Sequence, residues 1–252
     1  MTGLSLTALS GLANPKRFVD LSTVLLPWTA GAAIALLAIG FYWSLFIAPP
    51  DYQQGDTVRI MFVHVPAAWM SMFIYGVIAA ASLTGLVFKH PLADVSAKAA
   101  APLGVAFTVL ALFTGSLWGR PMWGTYWVWD ARLTSELILL FIYLGYIALW
   151  DAIEDQTRAA RAAAVLALVG AVNLPIIKFS VDWWNTLHQP TSVFRAGGPT
   201  MDAAFLWPLF VMALGYSALF VWLWLLRIRT EIWRQRIRVL LLAKAHEKGL
   251  SV

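Results

Sequence analysis

The segment WGTYWVWDARLTSELILLFIYLGYIALW, Trp123 to Trp150, changes character halfway along its length. Its first eight residues contain three tryptophans, a tyrosine and an aspartate, whereas the last eighteen, from Leu133, carry a single charged residue, Glu136. About 20 helical residues are enough to cross the ~30 Å hydrocarbon core of a membrane. The segment therefore predicts a membrane-spanning helix that follows a tryptophan-rich loop.

The rest of the chain repeats this apolar pattern. It has 252 residues, of which 60% are hydrophobic and 12% are charged, and five further apolar runs are long enough to cross a bilayer. We therefore predict an all-α integral membrane protein, a bundle of six transmembrane helices in a single polytopic domain, residues 1–252. The predicted spans are residues 24–47, 65–88, 99–117, 133–150, 162–179 and 203–226. The first span is too long for the apolar core of a signal peptide, so we expect it in the mature protein.

The distribution of basic residues predicts the topology. An even number of spans places both termini on one side of the membrane. Thirteen of the 18 lysines and arginines then fall on that side, and basic residues favour the cytoplasmic face. We therefore expect cytoplasmic termini and tryptophan-rich periplasmic loops. The net charge of +5 is a topology signal and does not indicate nucleic-acid binding.

Residues 227–252 form a basic cytoplasmic tail, in which arginines alternate with isoleucine and leucine at roughly helical spacing. This pattern predicts a helix that extends the last span. Two roles are open for it. The helix could anchor to anionic lipid headgroups along the membrane face, or it could dock a cytoplasmic partner.

Several kinds of chemistry are excluded by the residues that the sequence lacks. Cysteine is absent, which excludes disulfides, thiolate metal sites and covalent attachment of haem through a C-x-x-C-H motif. The sequence also contains no phosphate-binding loop, no Walker motif and no evident nucleophile. We therefore expect a protein that is not an enzyme.

Two of the four histidines are candidates for metal ligation. Pro66 is expected in the first turn of the second span, which would place His64 just outside the helix. His188 lies in the loop before the sixth span, on the same predicted periplasmic side. Two neutral imidazoles suit an iron centre with two open axial positions, although each histidine could instead hydrogen-bond its own loop. His90 and His246 fall on the cytoplasmic side and are interpreted as surface residues.

The loop between the third and fourth spans is the candidate binding platform. Its candidate residues are Trp118, Trp123, Gly124, Tyr126, Trp127, Trp129 and Asp130. A flat, largely apolar macrocycle such as haem needs aromatic walls in a dry site. Gly119 and Gly124 each follow a tryptophan, where the backbone has to bend or approach another group closely. The alternative is an interfacial belt of tryptophan and tyrosine, which accounts for one or two of these residues. Trp183 and Trp184 are further aromatics of the next periplasmic loop.

Arginines on the periplasmic side could pair with the propionate carboxylates of a haem, because guanidinium groups bind carboxylates bidentately. The candidates are Arg132, Arg59 and Arg120, and Arg195 lies on the same side. For Arg132 the alternative is a helix-surface pair with Glu136, four residues further on. Asp130 is placed to cap the N-terminus of the fourth span.

These residues resemble a known family. The segment TGSLWGRPMWGTYWVWDARLTSELILLFIYLGYIAL, Thr114 to Leu149, is similar to the tryptophan-rich WWD signature of membrane proteins that handle haem during cytochrome c maturation. The six-span size and the segments FVHVPAAWMS, Phe62 to Ser71, and VDWWNTLHQP, Val181 to Pro190, resemble the CcmC family of haem exporters. The likeness covers residues 21–226.

The resemblance implies a bacterial inner-membrane protein that holds haem b non-covalently at the periplasmic face. It implies His64 and His188 as axial ligands of the iron, with Trp118 to Asp130 as the platform. It also implies delivery of the haem to a membrane-tethered periplasmic chaperone of the CcmE type. The other implied partners are a CcmA-like ATP-binding-cassette ATPase, a CcmB-like membrane subunit and a small, single-span CcmD-like subunit.

Two other functions stay open at this point. One is a b-type electron-transfer cytochrome, which would carry its two histidines on membrane helices around a buried haem. The other is a structural permease subunit, in which the tryptophans would form an interfacial belt or a docking surface.

Overall fold

The computed structural model describes residues 14–190 and 192–247, with the backbone alone at residue 246. The described chain is helical and contains no strand. Its helices are α1 (Pro15–Tyr42), α2 (Met61–Phe88), α3 (Pro91–Trp123), α4 (Ala131–Ala152), α5 (Gln156–Gly170), α6 (Asn173–Trp183) and α7 (Ala203–Glu247). The surface role predicted for the His246 side chain and the last residues of the basic tail, 248–252, lie outside the described residues.

Six stretches of the described chain are long and apolar enough to cross a membrane, which confirms the predicted all-α, multi-pass architecture. Four of them are extended or divided helices. A π-helical turn, Trp43–Ile47, continues α1, and a 3-10 helix, Asp56–Ile60, leads into α2. Helices α5 and α6 together make the fifth span, Gln156–Trp183, and α7 continues well past the sixth.

The second and third helices have different bounds from those predicted, so some candidate residues lie in helices and not in loops. Helix α2 begins at Met61 and not near Pro66, because the 3-10 helix starts the helical path earlier, so His64 lies inside a helix. Helix α3 runs through Pro121 to Trp123. The expectation that His64 lies outside its helix was therefore wrong, and Trp118 and Trp123 are helical residues and not loop residues. The start of α2 was predicted from Pro66, which in fact lies inside the helix. The end of α3 is polar and aromatic, so hydropathy does not mark it.

Two aspartates start helices by the same local chemistry. The Leu133 N–H donates to Asp130 Oδ1 at 2.8 Å, which confirms Asp130 as the N-cap of α4. The Arg158 N–H donates to Asp155 Oδ1, also at 2.8 Å, at the start of α5. Each bond satisfies a backbone N–H that the first turn of a helix leaves without an intrahelical partner.

Helices α2 and α3 form the centre of the bundle and pack most extensively on each other. Helix α4 lies against α3 and α5, α5 lies against α2, and α1 packs along α7 at the edge. The largest fully buried side chains include Tyr75, Tyr143 and Tyr146. The rings of Tyr75 and Tyr143 meet edge to face at 5.1 Å, and the Tyr143 hydroxyl donates to the Ser71 carbonyl oxygen at 2.7 Å. Buried tyrosines are therefore accommodated by ring contacts and hydrogen bonds between helices.

The bundle has two ends with different compositions. The loop end carries the segments 48–55, 124–130 and 184–202, and the terminal end carries the turns 89–90 and 153–155 together with Pro15 and the last turns of α7. At the terminal end, Ile228 and Ile232 of α7 pack against a small cluster that includes Val95 of α3. The basic tail is thus a continuation of α7, as predicted, and its first part is packed against the bundle.

Candidate functional site

A pocket opens at the loop end, between α2, α3, α4 and the segment that joins α6 to α7. Its side chains surround about 800 Å³ of space, part of which is open to solvent. His64 and His188, which come from different elements, both line it. The fold therefore brings the two candidate ligands to one cavity.

His64 is held in a fixed orientation by the helix opposite it. The side chain is 9% exposed, and its Nδ1 lies 2.9 Å from the Ala111 carbonyl oxygen and 3.3 Å from Thr114 Oγ1. Because a carbonyl oxygen can only accept, Nδ1 carries the proton in this contact. The Nε2 atom then keeps its lone pair, as in histidines that ligate metals.

The close approach of His64 to α3 depends on Gly115. A Cβ atom at position 115 would lie 2.9 Å from Cε1 of the His64 ring, closer than real Cβ contacts come. The absence of a side chain at this position is therefore what allows the imidazole to lie against the helix and reach the Ala111 carbonyl.

His188 is kept neutral by its surroundings. Its backbone N–H donates to Thr186 Oγ1 at 2.9 Å, and among the described residues its buried Nδ1 has no hydrogen-bond partner. Burial, together with a smaller effect of the positive charge of Arg132, lowers the pKa of His188 to about 4. Near neutral pH the imidazole is therefore uncharged and has a lone pair available for a metal.

The separation of the two imidazoles fits a metal between them. Their ring centroids are 6.3 Å apart, and their planes are inclined by 34°. A metal bound at about 2 Å by one nitrogen of each ring, on opposite sides, would place the two centroids roughly 6 Å apart. No cluster of three or more His, Asp or Glu side chains that could hold a metal occurs among the described residues. The site therefore suits a metal that brings its other ligands with it.

Tryptophans form much of the wall around the two histidines. The Trp118 ring meets the His64 ring edge to face at 5.7 Å, and its Nε1 donates to Gln54 Oε1 at 2.9 Å. The Trp123 ring lies 6.0 Å from that of His188. Trp127 also lines the pocket. Three of the predicted platform tryptophans therefore surround the candidate ligands.

The other platform residues lie around this wall. Tyr126 and Trp129 are exposed, at 57% and 75%, and Trp129 meets Trp127 edge to face at 5.4 Å. Gly124 ends α3 with a φ of 78°, a left-handed conformation that favours glycine. Asp130 begins α4. These residues shape and border the pocket and do not face its interior.

The candidate arginines differ in position. Arg132 lines the pocket, and its Nη1 donates to the Ile177 carbonyl oxygen at 2.7 Å. Arg59 pairs with Asp56 at 3.1 Å and also donates to carbonyl oxygens at the end of the first span. Arg120 donates to the Gly124 carbonyl oxygen, and its guanidinium lies 5.6 Å from the centroid of the Tyr126 ring. Arg132 is thus the candidate that faces the cavity.

The other two candidate aromatics lie away from the pocket, and Trp183 ends α6 and is not a loop residue as predicted. Trp183 and Trp184 are about half exposed, and their rings meet edge to face at 5.7 Å. Trp183 also stacks on Phe179 at 5.4 Å. They form an exposed aromatic surface at the same end of the bundle.

Sequence reasoning missed Glu136 as a pocket residue. It was interpreted as a possible surface partner of Arg132, but it is only 8% exposed and lines the cavity. Ser71 Oγ donates to Glu136 Oε1 at 2.6 Å, and no salt bridge joins Glu136 to Arg132 among the described residues. A carboxylate within a membrane span is itself a sign of a functional position. That signal was available in the sequence.

The chain is similar to known proteins along most of its length. Residues 8–243 match the family profile CcmC, described as Heme exporter protein C. A Heme exporter protein C of Bradyrhizobium diazoefficiens is 65% identical over 240 residues, which are 95% of this chain and 91% of the relative. Another, of Escherichia coli, is 49% identical over 88% of this chain and 89% of the relative. A relative from Marchantia polymorpha, named as a cytochrome c biosynthesis ccmC-like mitochondrial protein, is 50% identical over 70% of this chain and 75% of its own length.

Proposed function

This chain belongs to the CcmC family, heme exporter protein C, and we propose that it binds haem in the loop-end pocket for delivery to a chaperone. As a member of an exporter family, it is a component of a transport system and not an enzyme. Its relatives support a role in haem export for cytochrome c maturation.

The facing pair of His64 and His188 is the observation that carries the proposal. Haem iron already has four equatorial nitrogen ligands, so it needs only two axial partners from a protein. The pocket supplies two histidines at a suitable separation, both with lone pairs available. We assign them as the axial ligands of haem b, bound without a covalent link because the chain has no cysteine.

The pocket wall suits the rest of the haem molecule. Trp118, Trp123 and Trp127 offer aromatic contacts to a flat macrocycle. Arg132 is placed to meet a propionate carboxylate, since it is the candidate arginine in the pocket wall. Arg59 and Arg120 would first have to release the backbone carbonyls to which they now donate.

The exposed aromatic residues support delivery of the haem to another protein. Tyr126 and Trp129 lie beside the pocket, and Trp183 and Trp184 lie at the same end of the bundle, all of them half exposed or more. Tryptophan and tyrosine are enriched where proteins bind one another. We assign this surface to a membrane-tethered periplasmic chaperone of the CcmE type.

The remaining partners and the location follow from the proposed export role. The sequence has no phosphate-binding loop of its own, so energy for release would come from a separate, CcmA-like ATPase, with CcmB-like and CcmD-like membrane subunits. The excess of basic residues at the terminal end supports cytoplasmic termini in a bacterial inner membrane, with the pocket on the periplasmic side.

A b-type electron-transfer cytochrome is supported less well. Such a protein would hold a buried haem between histidines on membrane helices, and His64 does lie on α2. His188, however, lies in the loop between α6 and α7, and the pocket is open to solvent. An accessible ligand site favours a cargo that leaves over a cofactor that stays.

Absorbance spectroscopy of the purified protein tests the ligand assignment. We expect His64→Ala with His188→Ala to lose the haem absorbance of the parent, and His90→Ala, at the opposite end, to retain it. Circular dichroism and size-exclusion chromatography check that each variant is folded. Added imidazole should restore part of the absorbance to His188→Gly, because it can enter the vacated ligand position. Unchanged haem content in the folded double variant would contradict the assignment.

A further inference from the structure

A second cavity lies beside the pocket, on the outside of the bundle. It is a shallow, open groove between α3 and α4. The helices contribute Val109, Leu112, Phe113, Ser116, Leu137 and Leu140. All but one of these side chains are apolar, and the groove faces the region that lipid would occupy.

The groove and the pocket adjoin each other. Leu112, Ser116 and Trp127 line both cavities. These side chains therefore belong to a wall shared by the groove and the pocket that holds His64 and His188. Two of them, Leu112 and Ser116, are one helical turn apart on the same face of α3.

The groove extends into the depth of the membrane. Leu140 is the tenth residue of α4, which places it about 14 Å below the start of that helix at 1.5 Å per residue. Val109 lies about 21 Å from the end of α3 by the same rise. Half of a ~30 Å hydrocarbon core is about 15 Å. The groove thus runs along much of the leaflet that adjoins the loop end.

Trp127 is the side chain best placed to open the passage. It lies in the segment between α3 and α4 that has no regular secondary structure. Its buried Nε1 has no hydrogen-bond partner among the described residues, and its ring contacts Trp129, which is largely exposed. Rotation of the Trp127 ring would therefore break no side-chain hydrogen bond within the described chain.

We propose that this groove is the path by which haem passes sideways from the loop-end leaflet into the pocket, with Trp127 as the movable side chain between them. The inference rests on the proposed function, because it names the source of the haem bound there. Haem is a flat molecule with apolar faces and a carboxylate edge, so it partitions into a bilayer with that edge at the surface. The apolar groove accommodates the faces, and the exposed loop end accommodates the edge.

A reversible block of the groove tests this path. The chain contains no cysteine, so Leu140→Cys can be labelled at that one position with a bulky, pyrene-bearing reagent that forms a disulfide. Phe141→Cys is the matched control, because Phe141 is the next residue, is 61% exposed and lies outside the groove. Val109→Cys serves as a second groove position if Leu140→Cys fails to fold.

Haem uptake is measured with the full chain in phosphatidylcholine and phosphatidylglycerol vesicles, from donor vesicles that carry hemin in their bilayer. We expect the label at position 140 to slow the growth of the bound-haem absorbance about tenfold, the factor that a barrier higher by about 1.4 kcal/mol gives. Reductive removal of the label should restore the parent rate, which shows that the fold is intact. The label at position 141 should leave the rate unchanged.

The possible outcomes distinguish failure of the proposed path from failure of the proposed function. Uptake at the parent rate with a label at position 140 or 109 would overturn the path alone, and haem would then reach the pocket from the aqueous side. Absence of haem uptake by the unlabelled parent chain would overturn the proposed function, and the path with it.

Discussion

The terminal end of the bundle and the loop-end pocket treat charged groups in opposite ways. At the terminal end, Lys98 Nζ lies 3.2 Å from Glu231 Oε2, and Arg234 Nη1 lies 2.7 Å from Glu231 Oε1. At the loop end, Arg132 and Glu136 both line the pocket, and their identified hydrogen-bond partners are neutral groups, a backbone carbonyl and a serine hydroxyl.

This difference distinguishes the ion pairs of the terminal end, which have a structural role, from the charges of the pocket, which form no ion pair among the described residues and suit a binding site. At the terminal end, Glu231 pairs with both Lys98 and Arg234. The pair with Lys98 joins α3 to α7, next to the apolar contacts of Ile228 and Ile232. The Arg132 guanidinium at the loop end remains available to a ligand of opposite charge. A charge that the protein does not pair internally is costly in an apolar setting, which is the reason to associate it with binding.

The largest predicted effect on stability is at Glu231, at the terminal end. Glu231→Ala removes the acceptor shared by Lys98 and Arg234, and we expect the free energy of unfolding to fall by about 2–4 kcal/mol. Removing one partner of a buried pair costs roughly 3–5 kcal/mol, and Lys98, whose side chain is 27% exposed, recovers part of this through water. Thermal unfolding in detergent measures the change, and haem bound per folded molecule should stay the same.

Arg234→Ala is the control for this prediction. The Arg234 side chain is 67% exposed, so the loss of its pair should cost at most about 1 kcal/mol. Equal destabilisation by Glu231→Ala and Arg234→Ala would show that the contact between α3 and α7 is no stronger than a surface pair.

A smaller effect is expected at the loop end, from Gly115→Ala. The added Cβ would lie 2.9 Å from the His64 ring, so the imidazole has to move away from the Ala111 carbonyl. Overpacking of this kind costs about 1–3 kcal/mol, and we expect haem affinity to fall about tenfold, or roughly 1.4 kcal/mol. Titration with hemin, followed by absorbance, measures it.

Gly76→Ala is the matched substitution away from the site. Nothing lies within 4 Å of the Cβ position there, and alanine is a better helix former than glycine by about 1 kcal/mol. Gly76→Ala should therefore keep the parent's haem affinity and be equally or more stable. If both alanine variants bound haem equally well, close approach of His64 to α3 would not matter for binding.

The smallest effects come from the two helix caps. Asp130→Ala should cost about 1 kcal/mol of stability and also weaken haem binding, because the segment carrying Trp127 ends at this cap. Asp155→Ala should lower the melting temperature slightly and leave haem binding unchanged, since it lies at the terminal end. Thermal unfolding measures the stability of both variants, and hemin titration measures their haem affinity. If both variants bound haem like the parent, the cap at Asp130 would not contribute to haem binding.

The cap at Asp155 also has a defined pH dependence. The backbone N–H of Arg158 holds the pKa of this carboxyl below its ordinary value of 3.8. The stability that the cap contributes is therefore present above that ordinary value and is lost as the pH falls through the lowered pKa. The difference in melting temperature between Asp155→Ala and the parent should accordingly vanish in acid. A difference that persists there would have another cause.

Much of the fold could be predicted because its signals are local. Apolar runs such as that of Leu133 to Trp150 identify spans, and the confirmed cap at Asp130 needs only an aspartate before a helix. Helix ends were predicted less well. Near His64 the helix begins before Pro66, because a proline within the first turns does not have to mark the start of a helix. At Trp123, polar and aromatic residues continue a helix that hydropathy no longer marks.

The sequence predicted which residues belong to the candidate site better than it predicted how they are arranged. Parity of the spans placed His64 and His188 at the same end, and the structure brings them to one pocket. Nothing local distinguishes Arg132, which faces the cavity, from Arg59 and Arg120, which contact backbone carbonyls. Glu136 was missed because its position four residues after Arg132 suggested a surface pair.

The sequence by itself determined the number of spans, the sorting of residues between the two ends and the chemical types at the site. These properties depend on hydropathy, charge and spacing within single segments. Only the tertiary structure decided that two imidazoles 6.3 Å apart share a tryptophan-walled pocket, and that a groove between α3 and α4 adjoins it. The reason is that such distances depend on how helices far apart in sequence pack, which no single segment encodes.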